Sequence, residues 1–328
     1  MVVESSTSYG LVERVGVIGL GKMGMPIARN LIARGFQVVG YRRRRCADLL
    51  AAGGHNADSP AAIAEDCDVV LSVLPSANDV YSVLRGVAGI LTAVRPGLIH
   101  IEMSTIDIAD KLKMAEELRS LNADMLDCPI SGGPDMVASH RATTFVSGQL
   151  ESVERVRPVL DAIGGRWMYA GEFGCGTRLK YVANLLLAIH NVAAAEAIVF
   201  ARRSGLDLNL VQEALDNSIA SSAVLKERGP RMRSREWSPA AGSVATLHHI
   251  LEQIERSART LEVSHPVFDA ARKVYRQALS QGYADSDIAC VHDLLLPHNE
   301  NQLAATSPTE QTCTGRIAER RLPPQNSP

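Results

Sequence analysis

Residues 15–45 read VGVIGLGKMGMPIARNLIARGFQVVGYRRRR, and this stretch decides the fold. A short apolar run, Val15, Val17 and Ile18, leads into Gly19, Gly21 and Gly24, spaced G-x-G-x-x-G. A helical pattern follows, then a second apolar run that ends in four arginines. Strand, tight turn, helix and second strand in this order make the unit that holds a dinucleotide. Gly19 permits the turn, Gly21 leaves room for a pyrophosphate, and Gly24 lets the helix pack closely. The turn as a whole, including Leu20, Lys22 and Met23, then faces the phosphates with the positive end of the helix dipole behind it.

The end of the second strand selects the cofactor. An acidic residue there accepts hydrogen bonds from the ribose hydroxyls of NAD. This chain instead has Arg42 and Arg43, followed by Arg44 and Arg45. A guanidinium pairs with a 2′-phosphate in a bidentate way, whereas a carboxylate repels it. NADP(H) is therefore expected over NAD(H).

Bulk properties set the frame. The chain has 328 residues, 46% apolar and 21% charged, with a net charge of −2. That is enough for two domains with sizeable cores, and it gives no general pull toward nucleic acid or an anionic membrane. No apolar run reads as a transmembrane span. Six scattered cysteines without a C-x-x-C pair point away from a metal or a disulfide framework. The opening MVVESSTSYGLVER lacks a basic region followed by an apolar core, so a reducing cytoplasm is the expected location.

Residues 1–13 read as a flexible arm. From residue 14 to 174 strands and helices alternate, with candidate strands at 15–18, 37–41, 68–73, 98–102, 124–127 and 143–147. Alternation of this kind implies an α/β domain, a doubly wound parallel sheet of Rossmann type. The character changes at residue 175. The segment 179–203 is rich in Ala and Leu, with no carboxylate before Glu196. It is expected to be a long helix buried all round, opening an all-α domain over 175–296 that also carries the contact of a homodimer or homotetramer. Further helices are expected near 208–217, 222–226, 244–261, 266–280 and 286–295, with a stop at Gly229-Pro230. Residues 297–328 read as a disordered tail.

Hydride transfer to a carbonyl leaves a developing alkoxide, which needs a positioned cation or proton donor. Lys180 opens the long apolar helix, where burial lowers the pKa of an ammonium. Asn184 lies four residues on, on the same helix face. Ser131, Gly132 and Gly133 form a turn after a strand, suited to binding a carboxylate through a hydroxyl and exposed amides.

These motifs together resemble the β-hydroxyacid dehydrogenases. GLGKMGMPIARNL, VLPSANDV, EMSTID, DCPISGG and GCGTRLKYVAN all stand in the family's order, from about Arg14 to Leu295. The resemblance implies a hydride-transferring oxidoreductase acting on a small carboxylate-bearing β-hydroxyacid or semialdehyde. It implies Lys180 as general acid and base, substrate contacts from Ser131, Gly132, Gly133 and Asn184, and cofactor contacts from Leu74, Pro75, Asn78 and Thr105. Asp79 is an alternative to Asn78. Where the family has a lysine reaching the nicotinamide, this chain has His249. Cys128 and Cys175 are expected to be small buried fillers. An imine reductase, or a non-catalytic NADPH-binding protein on the same scaffold, are the alternatives; relatives of both kinds typically lack the helix lysine.

Overall fold

The computed structural model describes residues 12–296. Most of the expected arm and all of the expected tail lie outside the described residues.

The first domain is built on a parallel sheet. Its strands are β1 (Arg14–Ile18), β2 (Gln37–Tyr41), β3 (His55–Asn56), β4 (Val69–Ser72), β5 (Ile99–Glu102) and β6 (Asp124–Asp127). They lie in the order β3-β2-β1-β4-β5-β6, every pair parallel. The order reverses between β1 and β4, so the crevice beyond the carboxyl end of β1 is where such a sheet takes its ligand. β4 is buried at every residue, as a central parallel strand covered on both faces must be.

The expected sixth strand near 143–147 does not join this sheet. It is β8 (Ala142–Val146), in a separate three-stranded sheet with β7 (Ile130–Ser131), antiparallel to it, and β9 (Gly165–Tyr169), parallel to it. β7 has only two residues and β9 begins on Gly165 directly after Gly164, so neither carries a strand pattern. This small sheet carries the Ser131-Gly132-Gly133 turn.

Asn30 ties the two layers. It lies buried on the helix Gly24–Ala33, and its Nδ2 donates to Val137 O at 2.9 Å and Ile163 O at 3.0 Å. The helix after the glycine turn is thereby fixed to the short helix Pro134–Ala138, which follows the Ser-Gly-Gly turn.

The second domain is helical. Its central helix runs Cys175–Arg203, one turn longer at its start than the apolar pattern suggests. It is long and apolar enough to cross a membrane by length and composition, against the sequence reading. In this fold it is the core of the domain, packed by the helices Ala223–Ser234, Val244–Thr260 and Pro266–Ser280. Buried Asn191 donates from it to Tyr275 Oη at 2.9 Å and Ile288 O at 2.8 Å. The helix is not buried all round. Leu179, Val182, Leu186 and Phe200 are 38%, 58%, 46% and 74% exposed and form one stripe at helical spacing.

The helix Ala223–Ser234 runs through Pro230 rather than stopping at Gly229-Pro230. The lost hydrogen bond is offset by packing: Met232 is fully buried, and Gln212 lies directly over Gly229. The expected helix over 286–295 is a 3-10 turn, Ile288–Cys290, followed by a short helix, Val291–Leu294.

Replacing Asn30 with Leu leaves Ile163 O without its donor and Val137 O with His140 N alone, so the substitution should destabilise the protein by about 1–3 kcal/mol. Urea unfolding checks this, and a loss below about 0.5 kcal/mol would mean that water satisfies those carbonyls instead.

Candidate active site

The glycine turn follows β1. Gly19 has φ +97°, and a Cβ there would lie 2.1 Å from Val73 O. A Cβ on Gly24 would lie 2.0 Å from Gly19 O, so this glycine serves the turn itself rather than contact between helix and strand. A Cβ on Gly21 would meet nothing within 4 Å. Its open face lies at the start of the helix Gly24–Ala33, a cradle that fits a dinucleotide pyrophosphate. Lys22 is exposed and Met23 half-buried on the same turn. Leu20 differs: its side chain is 3% exposed and belongs to the core, leaving only its main chain to face a ligand.

Arg42 to Arg45 are all exposed beyond the end of β2. Arg45 pairs with Asp58 at 3.1 Å. Arg42 and Arg43 have no carboxylate partner among the described residues, and the one polar contact of Arg42 is the Cys46 thiol at 4.0 Å.

A buried polar cluster organises the loops after β4 and β5. Ser72 Oγ lies 2.7 Å from His100 Nε2 and also donates to Glu102 Oε2. Glu102 Oε1 accepts from Ser104 N at 2.6 Å, and Ser104 Oγ accepts from Leu74 N at 2.9 Å. Burial pulls the His100 pKa below its ordinary value and favours the neutral ring. The Leu74-Pro75 loop and the Thr105 loop are thus fastened side by side at the carboxyl edge of the sheet. Asp79 is engaged in capping its own helix through Ser76, whereas Asn78 is exposed.

Asp127, at the end of β6, holds the start of the long helix. Its Oδ2 accepts from Thr177 N at 2.8 Å and from Ser147 Oγ at 3.1 Å. Its Oδ1 accepts from Thr177 Oγ1 at 2.7 Å and from Lys111 Nζ at 2.7 Å. The carboxylate acts as a cap supplied from elsewhere in the chain, at the positive end of the helix dipole. A Cβ on Gly176 would lie 2.5 Å from Phe145 O and 2.8 Å from Asp127 O, so only glycine permits this approach.

One turn further on, Lys180 is buried and donates to Ile130 O at 2.6 Å. Ile130 precedes Ser131, so this bond brings the helix lysine to the Ser-Gly-Gly turn. Ser131, Gly132 and Gly133 are half-buried, with Met136 against Gly132 and the Ala241 carbonyl of the helical domain over Gly133. Burial alone pulls the Lys180 pKa from 10.5 to about 8. Asn184 is also buried, and its Nδ2 has no partner among the described residues, an unmet donor on the face that carries Lys180.

The helix Val244–Thr260 closes the cleft from the other side. Gln253 donates to Thr105 O at 3.1 Å, and Arg256 pairs with Asp107 at 2.8 Å. His249 stands exposed one turn before Gln253, its Nε2 3.0 Å from the Gln253 amide nitrogen. The two domains thus meet where Lys180 reaches the residue before the Ser-Gly-Gly turn and where Gln253, with His249 beside it, reaches the Thr105 loop. Cys128 is fully buried and its thiol is pushed up by desolvation, which leaves it inert. Cys175 is half-exposed rather than buried.

Sequence reasoning missed Lys111, Asp127, Asn30 and Gln253. Asp127 had a signal, the first residue of DCPISGG. Lys111 had none, since it sits in the charged run IADKLKMAEELRS.

Known proteins match both domains. Residues 14–171 match the NAD binding domain of 6-phosphogluconate dehydrogenase. Residues 174–295 match the NAD-binding domain of NADP-dependent 3-hydroxyisobutyrate dehydrogenase. The chain is 30% identical to mitochondrial 3-hydroxyisobutyrate dehydrogenase of Mus musculus over 289 residues, covering 86% of each chain. It is 31% identical to NAD-dependent L-serine dehydrogenase of Pseudomonas aeruginosa, covering 87% of this chain and 98% of that one. A solved 3-hydroxyisobutyrate dehydrogenase from Salmonella typhimurium superimposes with a TM-score of 0.78 at 29% identity, covering 86% of this chain and all of the other.

The lowered Lys180 pKa carries a stability consequence. Between about pH 8 and 10.5 the unfolded chain holds a proton that the folded chain has released, so stability rises with pH across that window. Below it, the buried ammonium is a burden. Lys180→Met should therefore stabilise the protein by about 1–3 kcal/mol at pH 7, and the gain should shrink as pH approaches 10.5. Urea titrations at pH 7 and 10 measure it; a variant less stable than the parent at pH 7 would contradict the assignment.

Proposed function

We infer, from a chain that belongs to the β-hydroxyacid dehydrogenase family, that this protein is an NADP-dependent reductase or dehydrogenase of small hydroxyacids with Lys180 as its proton donor and acceptor. The coarser activity is that of the family: an NAD(P)-dependent oxidoreductase acting on the CH–OH group of a hydroxyacid. The observation that carries the finer reading is a buried lysine of lowered pKa, hydrogen-bonded to the residue before the Ser-Gly-Gly turn.

The chemistry follows from that position. The bound nicotinamide supplies or accepts the hydride. Ser131 and the amides of the turn bind the substrate carboxylate, which sets the adjoining carbon chain beside Lys180. Asn184 Nδ2 donates to the substrate oxygen that undergoes reaction. In the reducing direction the Lys180 ammonium gives its proton to the oxygen as negative charge develops. In the oxidising direction the neutral amine takes the hydroxyl proton. Near pH 8 both forms of the side chain are populated, which suits a reversible enzyme. This acid and base at the substrate oxygen favours hydroxyacid over imine chemistry, and over a scaffold without turnover.

Arg42 and Arg43, free of carboxylate partners among the described residues, are the groups we assign to the 2′-phosphate. A solved neighbour at 25% identity and TM-score 0.78 is a complex with NADP+, which agrees with that assignment. Relatives named for 3-hydroxyisobutyrate, L-serine and L-threonate all act on small hydroxycarboxylates, and the same class is inferred here. The apolar stripe of Leu179, Val182, Leu186 and Phe200 is covered by a second copy of the chain in this reading, as a homodimer or a larger homo-oligomer.

Three results test these assignments. Lys180→Ala should lower kcat at least about a hundredfold with NADPH binding intact; a rate within a few-fold of the parent would remove the catalytic role. Arg42→Asp combined with Arg43→Ala should weaken NADP+ binding about 10- to 100-fold and leave NAD+ nearly unchanged; equal losses would overturn the cofactor preference. Phe200→Glu with Leu186→Glu should convert an oligomer to monomer in light scattering, and a parent already monomeric at micromolar concentration would sink the dimer.

A further inference from the structure

One polar chain in the cleft has no place in the mechanism so far: Tyr181, Gln253, Thr105 and His249. Gln253 is 2% exposed and its amide is fully engaged. Tyr181 Oη donates to Gln253 Oε1 at 3.2 Å. Burial pushes the Tyr181 pKa up, so its hydroxyl keeps its proton and remains a donor. Gln253 Nε2 donates to Thr105 O at 3.1 Å. A main-chain carbonyl can only accept, so the amide cannot turn over without setting oxygen against oxygen. Its orientation is therefore fixed by two partners, one from each domain. The second hydrogen of Nε2 meets His249 Nε2 at 3.0 Å.

The imidazole nitrogen that faces an N–H must accept. His249 Nε2 then carries no hydrogen, and the ring proton sits on Nδ1. We propose that Gln253 is a positioning residue which holds His249 beside Thr105 with Nε2 as the acceptor and the ring proton on Nδ1, so that His249 offers the bound cofactor an Nδ1–H donor. The proposal rests on the functional reading above, in which this cleft takes a nicotinamide dinucleotide. Gln253 acts through His249 and docks the helical domain on the Thr105 loop with the same amide.

The test uses the full chain labelled with 15N-histidine, without cofactor. Two-bond nitrogen–proton correlations report which ring nitrogen is protonated, and the His249 signals are identified by their loss in His249→Asn. The parent should show His249 with Nδ1 protonated. Gln253→Leu should shift it to the Nε2–H form and raise the Kd for NADP+ by about tenfold, the loss of one hydrogen bond. Gln253→Glu, which offers only acceptors, should also give the Nε2–H form. A parent with Nε2 protonated overturns the proposal, and this result needs no variant to fold. So does a Gln253→Leu protein whose tautomer and Kd match the parent. A protein that binds no nicotinamide dinucleotide would instead overturn the functional reading, while the tautomer would stand as measured.

Discussion

The Asp127 carboxylate is the constraint on which the site depends. It joins the last strand of the parallel sheet to the first turn of the long helix, and it does so inside the protein, where every acceptor position must be met. Two hydrogen bonds from Thr177 fix the helix start along its axis and about it. Lys111 supplies the opposite charge at 2.7 Å, with both partners fully buried. An ion pair of this kind adds little net stability, but losing one partner leaves an uncompensated charge and costs about 3–5 kcal/mol. What it secures is geometry. Lys180 lies one turn beyond Thr177, so the placement of its amine against the Ser-Gly-Gly turn follows from where Asp127 holds the helix.

The two buried lysines illustrate how environment divides roles. Lys111 is paired with the Asp127 carboxylate at 2.7 Å and serves the structure. Lys180 faces a carbonyl and, among the described residues, no carboxylate, and burial draws its pKa down to about 8. A charge that is hard to keep makes a proton easy to give, and the folded state tolerates the strain because Asp127, Asn30 and the Gln253 network hold the surroundings.

Much of this was legible in the residues. The first strand, the glycine turn and the helix after it follow from local patterning, and so does the lysine four residues before Asn184. The missed parts depend on long-range partners. Lys111 stands among charged residues on an amphipathic helix and looks solvated until Asp127 is brought against it. β7 is too short for alternation to register, so the second sheet could not be separated from the first. Pro230 reads as a stop because local chemistry says so, while packing on the long helix carries the chain through. Leu20 reads as a ligand contact from its place in the motif, yet its side chain completes the core. The long helix looked buried all round because composition does not tell a protein core from a surface awaiting a partner.

The account turns on where the Lys180 amine stands when the cleft is filled. A crystal structure of the ternary complex with NADP+ and a small hydroxyacid measures this directly. The account predicts the substrate hydroxyl about 3 Å from Lys180 Nζ, its carboxylate on the Ser131–Gly133 turn, and its C–H directed at the nicotinamide. A hydroxyl held by other groups, with Lys180 still bonded to Ile130 O, would contradict it.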